Sequence, residues 1–440
     1  MSYLPNTAAD RSRMLEAIGV ASVDDLFAPI SADLRAKADF SALEPALDDI
    51  ALRKRLVALS SSSSNLDDNA CFLGAGIYDH YIPPVVGAIC GRSEFYTAYT
   101  PYQPEVSQGV LQSIYEFQSL ICRLTGMDVA NASMYDGATA LAEAVIMAAD
   151  LTKRRTVVLP SNLHPSARQV VATYLEPLEI EIRTIEADAT TGRLENVVLG
   201  DGDACLVVQQ PNFHGVVEDL RTLAERAHAA GALLVASVDP ISLGLLETPG
   251  DAGADIVVAE GQGLGCFPAF GGPLLGIFAC RKEFVRRIPG RIVGGTVDNH
   301  GRRAYTMTLR TREQDIRRDT ATSNICTNQA LFALAATVYL ATMGREGVSQ
   351  VARLCVQKSA YLKQALAAAG CPALHTGPTF KEFVFRCPDD PVAINRRLLE
   401  EGIIGGLPLP ALGNAMLVCV TEQRSREEMD RFARIVAEGA

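Results

Sequence analysis

Lysine is scarce in this chain. Of 40 basic residues only seven are lysines: Lys37, Lys54, Lys153, Lys282, Lys358, Lys363 and Lys381. Chemistry that needs a lysine amine therefore has few places to occur. No stretch approaches the ~18 uninterrupted apolar residues of a membrane span. The nearest, ALFALAATVYLATMG, carries threonines and a glycine and reads as a buried helix, so no membrane partner is expected. Among the eleven cysteines there is no C-x-x-C and no closely paired spacing. Such usage fits reduced, mostly buried thiols, and no metal site is expected. The N-terminus, MSYLPNTAADRSRMLEAIGV, lacks a basic region followed by an apolar core, which argues against export and for a cytoplasmic location. A net charge of −11 disfavours nucleic acid, whose binding rests on neutralising phosphates.

At 440 residues the chain needs two or three substructures. Residues 10–58 carry apolar residues at spacings of three and four, with Ser and Asp ahead of several runs, as N-caps should be. The polar tract SSSSSNLDDN, residues 60–69, is the clearest linker, so 1–65 reads as a helical arm. From about residue 110 to 290 the pattern alternates. Helices GVLQSIYEFQSLICRLTG and GATALAEAVIMAADLT precede strand RTVVLP, helix PSARQVVATYLEP, and strands IEIRTIE and DACLVVQQ. Helix DLRTLAERAHAAG and strands ALLVASVD, ADIVVAEG and PLLGIFAC follow. Apolar strands alternating with helices predict a mostly parallel sheet covered on both faces. Beyond 300, two long helices, strands KEFVFRC and AMLVCVT and a closing helix predict a smaller α+β unit, giving domains 1–65, 66–300 and 301–440. The arginine-rich stretch 302–318 is either a solvated loop or a surface for an anion or acidic partner.

Ligands of such sheets bind beyond the carboxyl ends of the strands. Four loops there carry suitable residues. Gly137, Ala138 and Thr139 open a helix whose free N–H groups could hold a phosphate, or they form an ordinary capped start. His164 follows a strand and could stack on a flat ring, or simply cap a helix. Asn212 sits in a glycine turn. Asp239 ends a strand and could pair with a protonated ring nitrogen, or cap a turn before Pro240. In this order the four resemble the large domain of fold-type-I pyridoxal-phosphate enzymes, the aspartate-aminotransferase-like α/β fold. The resemblance implies phosphate on Gly137–Thr139, stacking by His164, Asn212 near the ring hydroxyl and Asp239 on the pyridine nitrogen. The Schiff-base lysine would fall at Gln262, in VVAEGQGLGC, and an amide cannot form an imine. Lys282, the next lysine, reads as a surface residue.

Residues 92–109, RSEFYTAYTPYQPEVSQG, place Tyr96, Tyr99 and Tyr102 among prolines with Glu105, a stiff extended loop that packs domains or presents phenols and a carboxylate. Together with FLGAGIYDHYIPPVV, LTGMDVANASMYDGATALAEA and TLRTREQDIRRDTATSNICTNQAL, it resembles the glycine cleavage system P-proteins. Within them it is closest in pattern to the subunit 1, or α, chains of two-chain glycine decarboxylases. That resemblance spans nearly the whole chain. It implies pyridoxal phosphate carried covalently by a separate subunit 2 (β) chain and none covalent here. It further implies decarboxylation of glycine and aminomethyl transfer to the lipoyl arm of H-protein, in a system with T-protein and dihydrolipoamide dehydrogenase. The implied assembly is an α2β2 heterotetramer. Tyr96, Tyr99 and Glu105 would then contribute catalytic groups to a site shared with the β chain. The competing readings are a self-sufficient pyridoxal enzyme with a displaced lysine, and a noncatalytic scaffold or regulatory binding protein on that fold.

Overall fold

The computed structural model describes residues 5–269, 271–321, 323, 325 and 327–438. The chain divides into two compact units between Ser64 and Asn65. The first holds helices α1 (Ala8–Ile18), α2 (Ala32–Ala36) and α3 (Asp49–Ser61). Thr7 and Asp10 form a capping box at the start of α1, and Gly19 ends it at φ 83°, a conformation glycine adopts without strain. None of the three helices buries a residue. Phe40, Leu43 and Ile50 stand about 70% exposed, so among the described residues this unit has apolar side chains but no buried core.

In the second unit the order is β1 (Ala70–Cys71), α4 (Pro84–Cys90), α5 (Ser93–Tyr96), α6 (Gln108–Thr125), β2 (Val129–Ala130), α7 (Gly137–Thr152), β3 (Thr156–Pro160), α8 (Pro165–Leu175), β4 (Glu181–Ile185) and β5 (Asp203–Gln210). It continues with α9 (Leu220–Ala229), β6 (Leu233–Val238), β7 (Ile256–Glu260), β8 (Gly276–Cys280), β9 (Ile292–Val297), β10 (Arg303–Thr308) and α10 (Gln314–Arg317). The last part is α11 (Ala330–Ala368), β11 (Glu382–Arg386), α12 (Pro391–Glu400), β12 (Ile403–Ile404), β13 (Leu407–Pro408), β14 (Ala415–Cys419) and α13 (Arg426–Ala437).

Seven strands form the main sheet in the order β2-β8-β7-β6-β5-β3-β4. Pairings from β4 across to β7 are parallel, and β8 alone runs against its neighbours. Both faces are covered, which is why the strands read as continuous apolar runs. Along β5, Leu206 and Val208 pack with residues of α6, α9 and α11, while Cys205 and Val207 pack with α7 and α8. Beyond it, β11, β14 and β13 make a small antiparallel sheet with α12 and α13 on its core. The two long helices expected after residue 328 both form within α11, separated at Gly344, whose φ of 58° and ψ of −173° are not helical. The arginine-rich stretch differs from the loop it resembles in sequence. Arg303–Thr308 pairs with Ile292–Val297 as a hairpin, with Tyr305 turned inward. Its alternation is hidden by the arginines around it. Most of those arginines are spoken for: Arg302 pairs with Asp298, Arg310 with Asp315, Arg312 donates to the carbonyls of Ile288 and Gly290, and Arg317 donates to that of Thr311.

Candidate functional site

The carboxyl ends of β3, β5, β6 and β7 lie along one edge of the sheet, so the segments holding His164, Asn212, Asp239 and Gln262 emerge together. At that edge is a cavity of about 430 Å³ lined by Gly137, Ala138, His164, Asp239, Glu260 and Lys381, with Ala75–Tyr78 and Glu382. Its volume lies within the roughly 300–1,000 Å³ of small-molecule sites. Size is therefore not what decides its contents.

At the opening of α7, the Gly137 N–H donates to Glu260 Oε2 at 2.9 Å, and the Thr139 N–H to Asp136 Oδ1 at 2.8 Å. Glu260 Oε1 accepts from the Gln262 and Leu275 amides as well, at 3.0 and 3.1 Å. Burial nevertheless raises its pKa to about 7, with the nearby Asp136 adding to the rise against those amides. Gly137 must be glycine: a Cβ there would stand 2.8 Å from the Glu260 backbone nitrogen. His164 caps α8, its Nδ1 accepting from the Ser166 amide at 3.1 Å while Nε2 lies 2.9 Å from the Ala75 carbonyl. Those partners place the proton on Nε2. Its ring forms part of the cavity wall and meets Phe213 edge-on at 5.0 Å.

Asp239 has a partner of its own. Its Oδ2 lies 2.8 Å from Lys381 Nζ, both side chains being almost wholly buried. The same ammonium stands 3.0 Å from His80 Nε2 and 3.3 Å from the centre of the Tyr78 ring, so its three protons meet a carboxylate, an imidazole and a π-face. Burial alone would push Lys381 down, but Asp239 holds its pKa above the usual lysine value. His80 Nδ1 in turn contacts Glu422 Oε2 at 2.6 Å. Burial opposes the charge of Glu422, yet the hydrogen bonds from His80 and the Tyr81 amide hold it below its usual value. His80, Glu422 and Cys355 are the one trio of possible metal donors among the described residues. The His80–Glu422 contact is too short to bracket an ion, since two ~2.0 Å bonds at a tetrahedral angle would hold those atoms roughly 3.3 Å apart. It is a hydrogen bond.

Gln262 is 1% exposed and is not among the cavity-lining residues. Its Oε1 accepts from the Tyr78 amide at 2.8 Å, and its Nε2 donates to the carbonyls of Tyr78 and Cys266 at 3.0 and 2.6 Å. Glu382, also buried, accepts from the Ala75 amide at 2.7 Å and from the Tyr78 hydroxyl at 2.8 Å. The segment 75–81 is thus pinned from four sides.

Asn212 is placed elsewhere. Its Nδ2 donates to the Gly192 carbonyl at 2.9 Å and to Glu218 Oε1 at 2.6 Å, and its Oδ1 accepts from the His214 and Val216 amides. With every polar atom committed to its own turn, it is not among the cavity-lining residues. Thr139, turned into the capping box, does not line the cavity either. Next to Asn212, His214 stacks on His375 with ring centres 5.0 Å apart, and burial lowers its pKa to about 4. The folded state thus binds this proton less well than the unfolded chain, so stability falls as pH drops from about 6.5 towards 4, by up to about 3 kcal/mol. Above that window the effect is absent. His214→Gln should flatten the fall in urea midpoint between those pH values, and an unchanged slope would refute it.

The tyrosine-rich loop separates its members. Tyr102 accepts a hydrogen bond from Arg291 Nη2 at 3.0 Å, and Thr100 Oγ1 lies 3.2 Å from Nη1 of the same arginine. Arg291 is itself buried against Glu313. From that anchor Tyr96 and Tyr99 stand out at 68% and 79% exposure, and Glu105 is exposed too. None of the three reaches the cavity. Lys282 is exposed just past β8, whose end pairs with the start of β7 at the opposite edge of the sheet. Sequence reasoning missed Glu260, Lys381, Glu382, Tyr78, His80 and Glu422. The only signal for Lys381 was the scarcity of lysine, at a position just ahead of β11.

A doubly wound, mostly parallel sheet with its cavity at the strand ends is the fold-type-I pyridoxal-phosphate architecture. Solved structures agree: a sphingosine-1-phosphate lyase of Burkholderia pseudomallei superposes with TM-score 0.65 at 16% identity, over 90% of this chain and 91% of that one. A crystal structure of glycine decarboxylase (P-protein) of the glycine cleavage system, in inhibitor-bound form, superposes with TM-score 0.94 at 43% identity over the whole of both chains. Residues 1–436 match the family described as glycine cleavage system P-protein. A probable glycine dehydrogenase (decarboxylating) subunit 1 of Desulforamulus reducens is 54% identical over 98% of each chain. Its counterpart in Thermomicrobium roseum is 52% identical over 100% of this chain and 99% of its own. The chain belongs to the glycine cleavage system P-protein family.

The cofactor of that fold does not fit this cavity. The Gly137 and Thr139 amides, expected to hold its phosphate, are bonded to carboxylates, and Asp239, expected to meet its ring nitrogen, holds Lys381. Gln262, where the sequence resemblance places the lysine, is an amide bonded to the Tyr78 and Cys266 carbonyls.

Proposed function

We propose that this chain is the α half of a two-chain glycine decarboxylase, active with a lysine-bearing β chain in the cytoplasm. The observation that carries the reading is Gln262, buried and fully hydrogen-bonded at the position of the missing lysine in a chain that matches subunit 1 relatives end to end. Pyridoxal phosphate, on the β chain, would supply the electron sink for loss of the glycine carboxylate. The aminomethyl group then passes to the lipoyl arm of H-protein, with T-protein and dihydrolipoamide dehydrogenase acting downstream.

This chain's part is to form a wall of the shared site. Tyr96, Tyr99 and Glu105 project from a loop fixed at Arg291, where they can orient a small zwitterion and exclude water. The apolar side chains of the first unit, which have no core there, give the β chain a second surface. A displaced lysine is disfavoured because the one amine in the cavity, on Lys381, is held protonated by Asp239, and an imine needs a neutral amine.

Co-expression with the candidate β chain tests the reading through glycine–bicarbonate exchange with lipoylated H-protein. Each chain alone should give none, and the pair should give exchange; no rise on adding this chain would favour the scaffold reading. In the same assay, Tyr99→Phe and Glu105→Gln should each lower exchange about tenfold or more, within the range for a displaced positioning group. Unchanged turnover in both would remove the loop from the site.

A further inference from the structure

We propose that this chain's cavity is a self-liganded cofactor cradle, in which the Glu260 carboxylate and the Lys381 ammonium stand in for the phosphate and the ring nitrogen of pyridoxal phosphate and so exclude it. Glu260 occupies the Gly137 amide at the start of α7, where the helix dipole favours an anion, and Asp136 occupies the Thr139 amide beside it. A phosphate arriving there would face two carboxylates instead of free N–H groups. At the other end Lys381 sits on Asp239, donating one proton where a ring N–H would donate. To displace it would strand a buried ammonium, because its remaining contacts, His80 and Tyr78, carry no full negative charge. Between the two ends the wall carries Ala75, Ile77, Val170, Leu274 and Phe380 with neutral polar groups such as Ser166, Gln209 and Ser237, and no Lys or Arg besides Lys381 lines it to compensate a phosphate dianion.

Lys381 also ties together the elements around the cavity. Lys381 comes from the small antiparallel sheet and reaches Asp239 on the main sheet and Tyr78 and His80 on the 75–81 segment. A ligand entering the cradle would have to part all three.

The inference concerns this chain's own cavity, independently of glycine turnover, so it and the proposed function can fail separately. The test is equilibrium dialysis of the full chain against pyridoxal phosphate, with inorganic phosphate as competitor, followed by the cofactor content of the two-chain complex. Wild type should show no saturable binding at millimolar cofactor, and the complex should hold one cofactor per pair of chains. Glu260→Ala, which frees the Gly137 amide and removes the carboxyl group, should show saturable binding at about a tenth of the cofactor concentration at which wild type still shows none, and Glu260→Gln should gain less. Saturable wild-type binding displaced by phosphate, a second cofactor per pair, or no gain in a folded Glu260→Ala chain would each overturn the proposal.

Discussion

Lys381→Met should cost this protein roughly 3–5 kcal/mol of stability, the range for breaking a buried ion pair by removing one partner. The size follows from what is left behind, not from the attraction lost. Asp239 would be left buried at the sheet edge with the Ile241 amide as its remaining partner among the described residues, and Tyr78 would lose the cation over its ring. His80 Nε2 would lose its donor as well. A double-mutant cycle with Asp239→Asn separates these effects. Removing both charges should cost clearly less than the sum of the two single changes, since neither partner is then stranded. The comparison is of urea midpoints at neutral pH. A single-variant loss under about 1 kcal/mol, the worth of an exposed pair, would show that the site is wetter than its geometry implies.

That network also marks the limit of what could be read from the residues. The sheet was legible because its strands are continuous apolar runs bounded by turn residues: DACLVVQQ is β5 to the residue, and GATALAEAVIMAADLT is α7. Reversal of β8 left no trace, because a strand buried on both faces looks the same in either direction. Asp239 and His164 could be placed at the cavity because one directly follows β6 and the other lies in the loop after β3, both parallel strands. The direction of a side chain is another matter. Asn212 and Gln262 also sit beyond strand ends, but each turns its amide back onto backbone that only the folded chain brings near, Gly192 in one case and Tyr78 in the other. Lys381 and Glu422 reach the site from more than 140 residues beyond Asp239, and no local periodicity reports such a contact. Position along a strand predicts where a residue emerges. Its partners decide what it does.

Gln262→Lys puts that distinction to an experimental trial. If only the missing amine separated this chain from a pyridoxal enzyme, the substitution would restore imine formation. The geometry gives the opposite expectation. The side chain at 262 points at the backbones of Tyr78 and Cys266, outside the cavity lining, in surroundings that leave it 1% exposed. An ammonium there could still donate to the two carbonyls, but the Tyr78 N–H would lose its acceptor and a charge would be buried without a carboxylate bonded to it. An orphaned buried donor costs about 1–3 kcal/mol and a buried charge adds to that. Gln262→Lys should therefore unfold at lower urea than wild type by at least that amount, and after incubation with pyridoxal phosphate and borohydride it should carry no pyridoxyl-lysine at residue 262 by peptide mass. Even a flexible lysine that reached the cavity would meet Glu260 on the helix start and Lys381 on Asp239. Stoichiometric pyridoxyl-lysine at 262 with unchanged stability would mean that one residue had closed the site. Its absence, together with gain of cofactor in Glu260→Ala, would place the closure in the carboxylate and the second lysine instead.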